Sequence, residues 1–171
     1  IAKLFHDAGV LTIGILKNAD LDCYDSVVSE ASCTEHSELI KAILQPIATQ
    51  GMIAYDFSDL QTTLADAKHF FIKSATGHGN ERVAEAVGHI KSSLSSSMLE
   101  TIRRISILLY FNKEGEQPLL MQEMTVLTEF LKELPENIEV IWALYPDVTI
   151  EEHGIKLSVI AARKEKEASA K

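Results

Sequence analysis

Tyr55-Asp56-Phe57-Ser58-Asp59-Leu60 carries two carboxylates three residues apart, and the segments on either side of it indicate the fold. We refer to residues 54–60 as the aspartate loop. Apolar residues at helical spacing precede the loop over 39–53, and a strand, a glycine turn and an amphipathic helix follow it over 68–94. The order of these parts is more specific than the two aspartates alone.

The two aspartates have a purely structural interpretation. Asp56 stands before a run of helix-favouring residues, where its side chain can cap orphan backbone N–H groups, and Asp59 in the first turn favours the positive end of the helix dipole. The predicted helix runs to about residue 67. Short polar patterns of this kind are common, so the rest of the chain has to decide whether the aspartates do more.

Length, composition and charge limit the functional classes. With 171 residues and 46% hydrophobic content, the chain can bury one substantial core, which predicts one domain or a domain with a fragment of another. No apolar run approaches the roughly 20 residues that span a bilayer, so we expect a soluble protein without membrane insertion. The net charge of −9 argues against a broad nucleic-acid surface, which needs clustered lysines and arginines.

Cysteine usage and the start of the chain bear on its location and completeness. Cys23 and Cys33 are the only two cysteines, and few thiols are typical of a reduced, cytoplasmic protein. No targeting segment is visible. The first residue, Ile1, falls inside a predicted helix, so we expect that an N-terminal portion is missing.

The first part of the chain predicts one helix–strand unit and a polar segment. Apolar residues share a helical face over 1–8, and Gly9 is suited to end that helix. A β-branched run over 10–16 predicts a strand covered on both faces. Residues 18–36 are polar with little periodicity, so we interpret them as a loop or linker and as a domain boundary.

The rest of the chain alternates strands and helices. Pro46 should kink or break the helix before the aspartate loop. Strands are predicted over 67–75, 104–111, 138–145 and 155–161, and helices over 80–94, with Asn80 as N-cap, and 118–134. The predicted fold class is α/β (α+β), a two-layer sandwich in which a mixed four-stranded sheet carries both helices on one face. Its last two strands can form an antiparallel hairpin.

Three segments carry a resemblance to a known family. They are Asp56-Phe57-Ser58-Asp59-Leu60, the turn Ala75-Thr76-Gly77-His78-Gly79-Asn80-Glu81-Arg82 and the strand over 138–147. Together with residues 5–12 they resemble FtsZ, the bacterial tubulin-like cell division GTPase, over about four fifths of the chain. The resemblance implies a partial αβ unit of a nucleotide domain and a linker over 1–36, a connecting helix and the aspartate loop over 37–66, an α/β sandwich like the FtsZ C-terminal domain over 67–162, and a charged tail over 163–171.

The resemblance also implies a function. Subunits of this family polymerise head-to-tail into cell division filaments, and Asp56 and Asp59 would be catalytic because they complete the GTP site of the adjacent subunit. GTP, with Mg²⁺ as an accompanying ion, would belong to the parent protein or to the neighbouring subunit, and the fragment alone is expected to be inactive. Self-association is the implied partnership, other division proteins are further candidate partners, and the implied location is a bacterial cytoplasm.

The chain departs from the family in three ways. The family's phosphate loop, Gly-Gly-Gly-Thr-Gly-Thr-Gly, is absent, and a short polar segment replaces the long insertion before the helix at Leu39. Ala54 stands where the family motif Asn-x-Asp-Phe-x-Asp-Val has its Asn. A tubulin-like structural or ligand-binding module without GTPase activity therefore stays open as the alternative.

Two other residue groups are weaker candidates for sites. Gly77-x-Gly79 lacks the third glycine and the Lys-Ser/Thr pair of nucleotide-binding loops, so a tight strand-to-helix turn explains it better. Cys23, Cys33 and His36 are competent metal ligands, but their spacing lacks a Cys-x-x-Cys pair. We expect neither a cofactor-binding residue nor a metal site within this chain.

Overall fold

The computed structural model describes residues 1–15, 23–31, 36–65, 67–115 and 117–163. The strands are β1 (Ile13–Gly14), β2 (Ser26–Ala31), β3 (Lys68–His78), β4 (Ile102–Phe111), β5 (Glu139–Pro146) and β6 (Gly154–Arg163). The helices are α1 (Ala2–Asp7), α2 (His36–Ala48), α3 (Phe57–Leu64), α4 (Arg82–Ser93), α5 (Ser96–Leu99) and α6 (Met121–Glu133). None of the helices in these ranges has the length and apolar character needed to cross a membrane.

The strands form one mixed sheet in the order β1-β2-β3-β6-β4-β5. β1, β2 and β3 pair in parallel, as do β4 and β5, while β6 is antiparallel to both of its neighbours, β3 and β4. The predicted mixed α/β fold is confirmed. The sheet nevertheless has six strands rather than the four predicted, because the first part of the chain contributes β1 and β2.

β2 lies inside the stretch that the sequence predicts to be a linker. Ser26 and Val27 are buried, and Val28 packs against the apolar cluster beneath α2 and α3. β2 pairs in parallel with β3, with Val28 opposite Phe70, and this pairing supplies hydrogen-bond partners for the backbone groups of β2. A strand of this composition shows no clear alternation of apolar and polar residues, and sequence periodicity therefore misses it.

β6 lies in the middle of the sheet, so the hairpin predicted for the last two strands does not form. Leu157 and Val159 pack into the cluster on one face of the sheet, and Ile160 packs into the cluster on the other. A strand that is apolar on both faces buries most surface in a central position. β5, which follows α6, pairs in parallel with β4 instead.

Helices cover both faces of the sheet. The two crossover helices, α4 and α6, lie on the same face, as predicted, and contribute Val83, Val87, Ile90, Leu127 and Phe130 to its cluster. The opposite face is covered by α2 and α3 through Leu39, Ile43, Leu60 and Leu64. The aspartate loop therefore lies in a helical layer that packs directly on the sheet, a third layer beyond the two predicted.

Helix α2 is not broken at Pro46, and the predicted N-cap of α4 is wrong. α2 continues past Pro46 to Ala48, because a proline in the last turn leaves little helix beyond the hydrogen bond that it removes. Asn80 lies in the 3-10 turn Gly79–Glu81, and the N-cap of α4 is Glu81, whose side chain makes no capping hydrogen bond.

Candidate functional site

The segment before the aspartate loop is attached to the edge of the sheet. Met52 and Ile53 donate their backbone N–H groups to the Leu144 carbonyl at 2.8 and 3.4 Å, and the Ile53 carbonyl accepts the Leu144 N–H at 3.1 Å. Gly51 permits this approach, because a Cβ there would lie 2.7 Å from the Ile53 carbonyl oxygen and 3.0 Å from the Tyr145 ring. The loop therefore starts from a fixed point on β5.

Tyr55 anchors the loop in the core. Its side chain is buried, and its hydroxyl lies 2.9 Å from Ser106 Oγ and 3.5 Å from Thr63 Oγ1. Burial raises the pKa of Tyr55 above its ordinary value, although its hydrogen bonds with Ser106 and Thr63 lower it, so the phenol stays neutral. The Tyr145 hydroxyl donates to the carbonyls of Pro46 and Tyr55 at 2.8 and 3.3 Å, and burial raises the pKa of Tyr145 to about 12.

Asp56 and Asp59 form a reciprocal capping box at the start of α3. Asp56 is the N-cap, and its Oδ1 accepts the Asp59 N–H at 3.0 Å, while Asp59 Oδ2 accepts the Asp56 N–H at 2.9 Å. The predicted capping roles of both residues are confirmed. The helix ends at Leu64, earlier than the predicted residue 67.

The capping box uses one oxygen of each carboxylate. In the part of the chain that the structure describes, Asp56 Oδ2 and Asp59 Oδ1 accept no hydrogen bond, and neither aspartate forms an ion pair. Asp56 is exposed and Asp59 is partly exposed. Two carboxylate oxygens are therefore available on the surface to accept hydrogen bonds from a ligand or a water molecule. Ala54, also exposed, offers only a methyl group where the family motif has an amide.

Exposed apolar side chains lie before and between the two aspartates in the chain. Met52, Ile53 and Phe57 expose 69%, 38% and 53% of their surface, although each belongs to a residue type that is usually buried. Apolar side chains clustered on a surface and rimmed by polar groups are typical of a protein interaction site. The loop thus combines available carboxylate oxygens with a surface that another protein could cover.

Known proteins resemble this chain in sequence and in fold. No protein-family profile matches it. The chain is 25% identical over 122 residues to the cell division protein FtsZ of Porphyromonas gingivalis, a match that covers 70% of this chain and 26% of that protein. Its structure is similar to the empty FtsZ dimer of M. jannaschii, with a TM-score of 0.68 at 15% identity, covering 94% of this chain and 57% of that one. The chain is therefore similar to FtsZ in sequence and in fold.

A further solved structure shares the fold less closely. TubZ of Bacillus thuringiensis serovar israelensis, in GDP-form protofilaments, is similar with a TM-score of 0.51 at 13% identity over 86% of this chain and 44% of that one. The chain spans about a quarter of the curated FtsZ and just over half of the M. jannaschii chain.

The glycine turn at residues 77–79 is not built to hold phosphate. A Cβ on Gly77 would lie 1.8 Å from the Arg82 carbonyl oxygen, so this glycine serves the close packing of β3 against α4. The N–H of His78 is already taken by Glu85 Oε2, at 2.7 Å. A carboxylate at this position would repel an anion, which agrees with the sequence interpretation of a tight turn.

The candidate metal ligands are not assembled among the described residues. Cys23 is partly buried, His36 begins α2, and Cys33 lies outside the described residues. Within the ranges that the structure describes, no group of three His, Cys, Asp or Glu side chains is placed to hold a metal ion.

The sequence analysis did not identify the buried hydroxyl groups of Thr63 and Ser106, which contact Tyr55 on the sheet side of the aspartate loop. Thr63 and Ser106 are fully buried, and their hydroxyl oxygens lie 2.7 Å apart. One signal was present in the sequence, because Ser106 is a polar residue in the middle of an apolar strand. A buried hydroxyl requires a hydrogen-bond partner, but no sequence pattern indicates which residue supplies it.

Proposed function

We propose that this chain is part of an FtsZ/tubulin-like GTPase that assembles head-to-tail into cell division filaments in the bacterial cytoplasm. In this proposal residues 1–36 are a partial αβ unit of a nucleotide domain with a linker, and 67–162 are the C-terminal domain. The aspartate loop completes the GTP site of the adjacent subunit. The observation that carries the proposal is the pair of available oxygens, Asp56 Oδ2 and Asp59 Oδ1, on an anchored loop within an exposed apolar surface.

The chemistry assigned to the loop is the positioning of water. Phosphoryl transfer depends mostly on positioning and electrostatics, and two carboxylates can orient a water molecule for attack on the γ-phosphate of GTP. The nucleotide, with its Mg²⁺, belongs to the adjacent subunit, since the family's phosphate loop is absent from this sequence and the turn at Gly77 does not fit phosphate. The isolated chain should therefore not bind GTP in a calorimetric titration. Micromolar affinity for GTP would contradict this division of roles.

The decisive experiment supplies the loop in trans. The partner is P. gingivalis FtsZ whose own loop aspartates are replaced by asparagine, so that it binds GTP but hydrolyses it slowly. Added wild-type chain should restore GTP hydrolysis. The Asp56→Asn and Asp59→Asn chains should restore roughly 10²–10³-fold less, by analogy with the loss of a single electrostatic stabiliser in an active site.

Asparagine is the appropriate replacement because it separates capping from catalysis. Asn ranks with Asp as an N-cap, whereas Ala would cost about 1 kcal/mol of stability and would confuse the two effects. Cosedimentation of each variant with FtsZ checks that binding is retained. If both variants bind and restore hydrolysis as well as the wild type does, the aspartates are helix caps only.

The alternative function is a tubulin-like module that assembles or binds ligands without hydrolysis. Ala54 favours it, because the amide of the family motif is missing beside the two carboxylates. In that case the chain should still reduce light scattering by assembling FtsZ, since it offers one surface of a head-to-tail contact and lacks the other. Hydrolysis by the aspartate-deficient FtsZ would then stay at its basal rate.

A further inference from the structure

Three buried hydroxyl groups connect the aspartate loop to β4. Tyr55, Thr63 and Ser106 are 3%, 0% and 0% exposed. Ser106 Oγ lies 2.9 Å from the Tyr55 hydroxyl and 2.7 Å from Thr63 Oγ1. Thr63 Oγ1 in turn donates to the Asp59 carbonyl at 2.8 Å. We call these three residues the hydroxyl triad.

The donors and acceptors of the triad can be assigned. Thr63 uses its only hydroxyl proton on the Asp59 carbonyl, so its oxygen accepts from Ser106. Ser106 has then used its own proton and accepts from Tyr55. All three protons are consumed in one direction, from Tyr55 through Ser106 and Thr63 to Asp59. Burial keeps the Tyr55 phenol protonated, as this chain of donors requires.

The triad acts on both ends of the carboxylate pair. Tyr55 is the residue before Asp56, and the Asp59 carbonyl receives the last hydrogen bond of the chain. The capping box fixes the two aspartates relative to each other, but it does not fix them relative to the sheet. Part of that second constraint comes from β5, through the backbone bonds to Leu144 and the Tyr145 hydroxyl on the Tyr55 carbonyl, and Ser106, which lies in β4, adds a contact to the side chains of Tyr55 and Thr63.

We propose that Ser106 is a positioning residue, which holds Asp56 and Asp59 at the surface through Tyr55 and Thr63. Its contribution to hydrolysis rests on the proposed function, whereas its effect on the loop does not. Loss of the Ser106 hydroxyl removes the 2.9 and 2.7 Å contacts of Tyr55 and Thr63, and it leaves only the long 3.5 Å contact between their own hydroxyls. The loop is then held less tightly, while the domain stays folded.

The first test measures the loop directly, without nucleotide. Amide hydrogen exchange of Asp56 and Asp59 is recorded by NMR in the Ser106→Ala chain. Exchange at both amides should accelerate by about fivefold or more, the factor that corresponds to one net hydrogen bond. The matched control is Ser158→Ala. Ser158 is also buried, at 2% exposed, but its hydroxyl oxygen lies 3.0 Å from that of Ser74 and makes its hydrogen bond there, not with a member of the hydroxyl triad. In Ser158→Ala, exchange at the Asp56 and Asp59 amides should equal that of the wild type.

A second pair of variants covers the case in which Ser106→Ala does not fold. Thr63→Val keeps the shape of the side chain and removes the hydroxyl, while Thr63→Ser keeps the hydroxyl. Exchange should accelerate in Thr63→Val and return towards the wild-type rate in Thr63→Ser. Equal exchange at Asp56 and Asp59 in the wild type and in both hydroxyl-deficient variants would overturn the proposal.

The trans-hydrolysis assay then separates this proposal from the proposed function. With aspartate-deficient FtsZ, Ser106→Ala should lower the maximal rate at saturating chain while leaving the half-saturating concentration unchanged. If wild-type chain stimulates no hydrolysis but exchange accelerates in the variants, the proposed function fails and the positioning role stands. If wild-type chain stimulates hydrolysis and Ser106→Ala changes neither exchange nor maximal rate, the positioning role fails alone.

Discussion

Replacing Glu123 by Gln tests the buried ion pair that joins α4 to α6. Arg82 is fully buried, and it donates from Nε to Glu123 Oε1 at 2.8 Å and from Nη2 to Glu123 Oε2 at 3.2 Å. The carbonyls of Gln117 and Pro118 also accept from Nη2, at 3.3 and 3.0 Å. The same Glu123 carboxylate accepts the Leu120 N–H at 2.8 Å, so one side chain closes the start of α6 and neutralises Arg82.

The expected cost follows from leaving a charge buried without its counter-ion. Removing one partner of a buried ion pair costs about 3–5 kcal/mol. Gln at position 123 should lie near the lower end, about 3 kcal/mol, because its amide oxygen still accepts one hydrogen bond from Arg82. For a chain of 171 residues this corresponds to a fall in Tm of about 6–12 °C.

Urea unfolding monitored by the single tryptophan is a suitable assay. Trp142 packs against the apolar cluster to which α4 and α6 contribute, so its fluorescence reports on the affected layer. Arg82→Met, Glu123→Gln and the double variant complete a mutant cycle. The double variant should be more stable than Glu123→Gln alone, because no charge is then left unpaired in the core.

Three outcomes of the mutant cycle would contradict the proposed role of the Arg82–Glu123 ion pair or change its interpretation. A loss below about 1 kcal/mol in Glu123→Gln would mean that the carboxylate charge is not needed to stabilise the Arg82 guanidinium. Strictly additive effects of the two substitutions would mean that the two side chains do not interact energetically. A changed m-value would instead indicate that the variant alters the unfolded or native state as a whole.

Two further predictions concern acid stability and backbone packing. Burial raises the pKa of Glu123, but hydrogen bonds from Arg82 and a backbone N–H lower it by more, so the pKa lies below its ordinary value. The resulting stabilisation is complete above the unfolded-state pKa and is lost as pH falls through the lower folded-state pKa, so the urea midpoint of the wild type should fall more steeply in acid than that of Glu123→Gln. Gly77→Ala should abolish folding by circular dichroism, because its Cβ would lie 1.8 Å from a backbone oxygen, while Gly88→Ala, with open space around its Cβ, should gain about 0.5–1 kcal/mol. A folded Gly77→Ala chain would contradict the assigned packing.

The elements that the sequence predicts well are those with one buried face and a regular period. α4 and α6 show apolar stripes at helical spacing, and in β4 Ile105, Ile107 and Leu109 recur at every second position, so local patterns suffice to place all three. The close approach at Gly77 and the capping roles of Asp56 and Asp59 are equally local, since each depends on residues a few positions away.

The elements that the sequence does not place depend on distant partners. β2 is held by its pairing with β3 rather than by its own pattern. β6 inserts between β3 and β4, and nothing in its residues states which two strands it will join. Ser106 reads as an ordinary polar residue until the fold brings Tyr55 and Thr63 to it from 51 and 43 positions away. Non-local contacts of this kind leave no periodic signal.

The two interpretations of Asp56 and Asp59 are therefore compatible, and the structure gives the reason. Capping consumes Asp56 Oδ1 and Asp59 Oδ2, and it directs the two carboxylates towards each other's backbone. Catalysis in trans would use the remaining oxygens, and it would benefit from the same constraint, because a preorganised carboxylate needs no reorientation when a substrate arrives. A measurement of stability can report only the capping role. Only hydrolysis by a neighbouring subunit, compared between Asp and Asn at unchanged stability, isolates the second role.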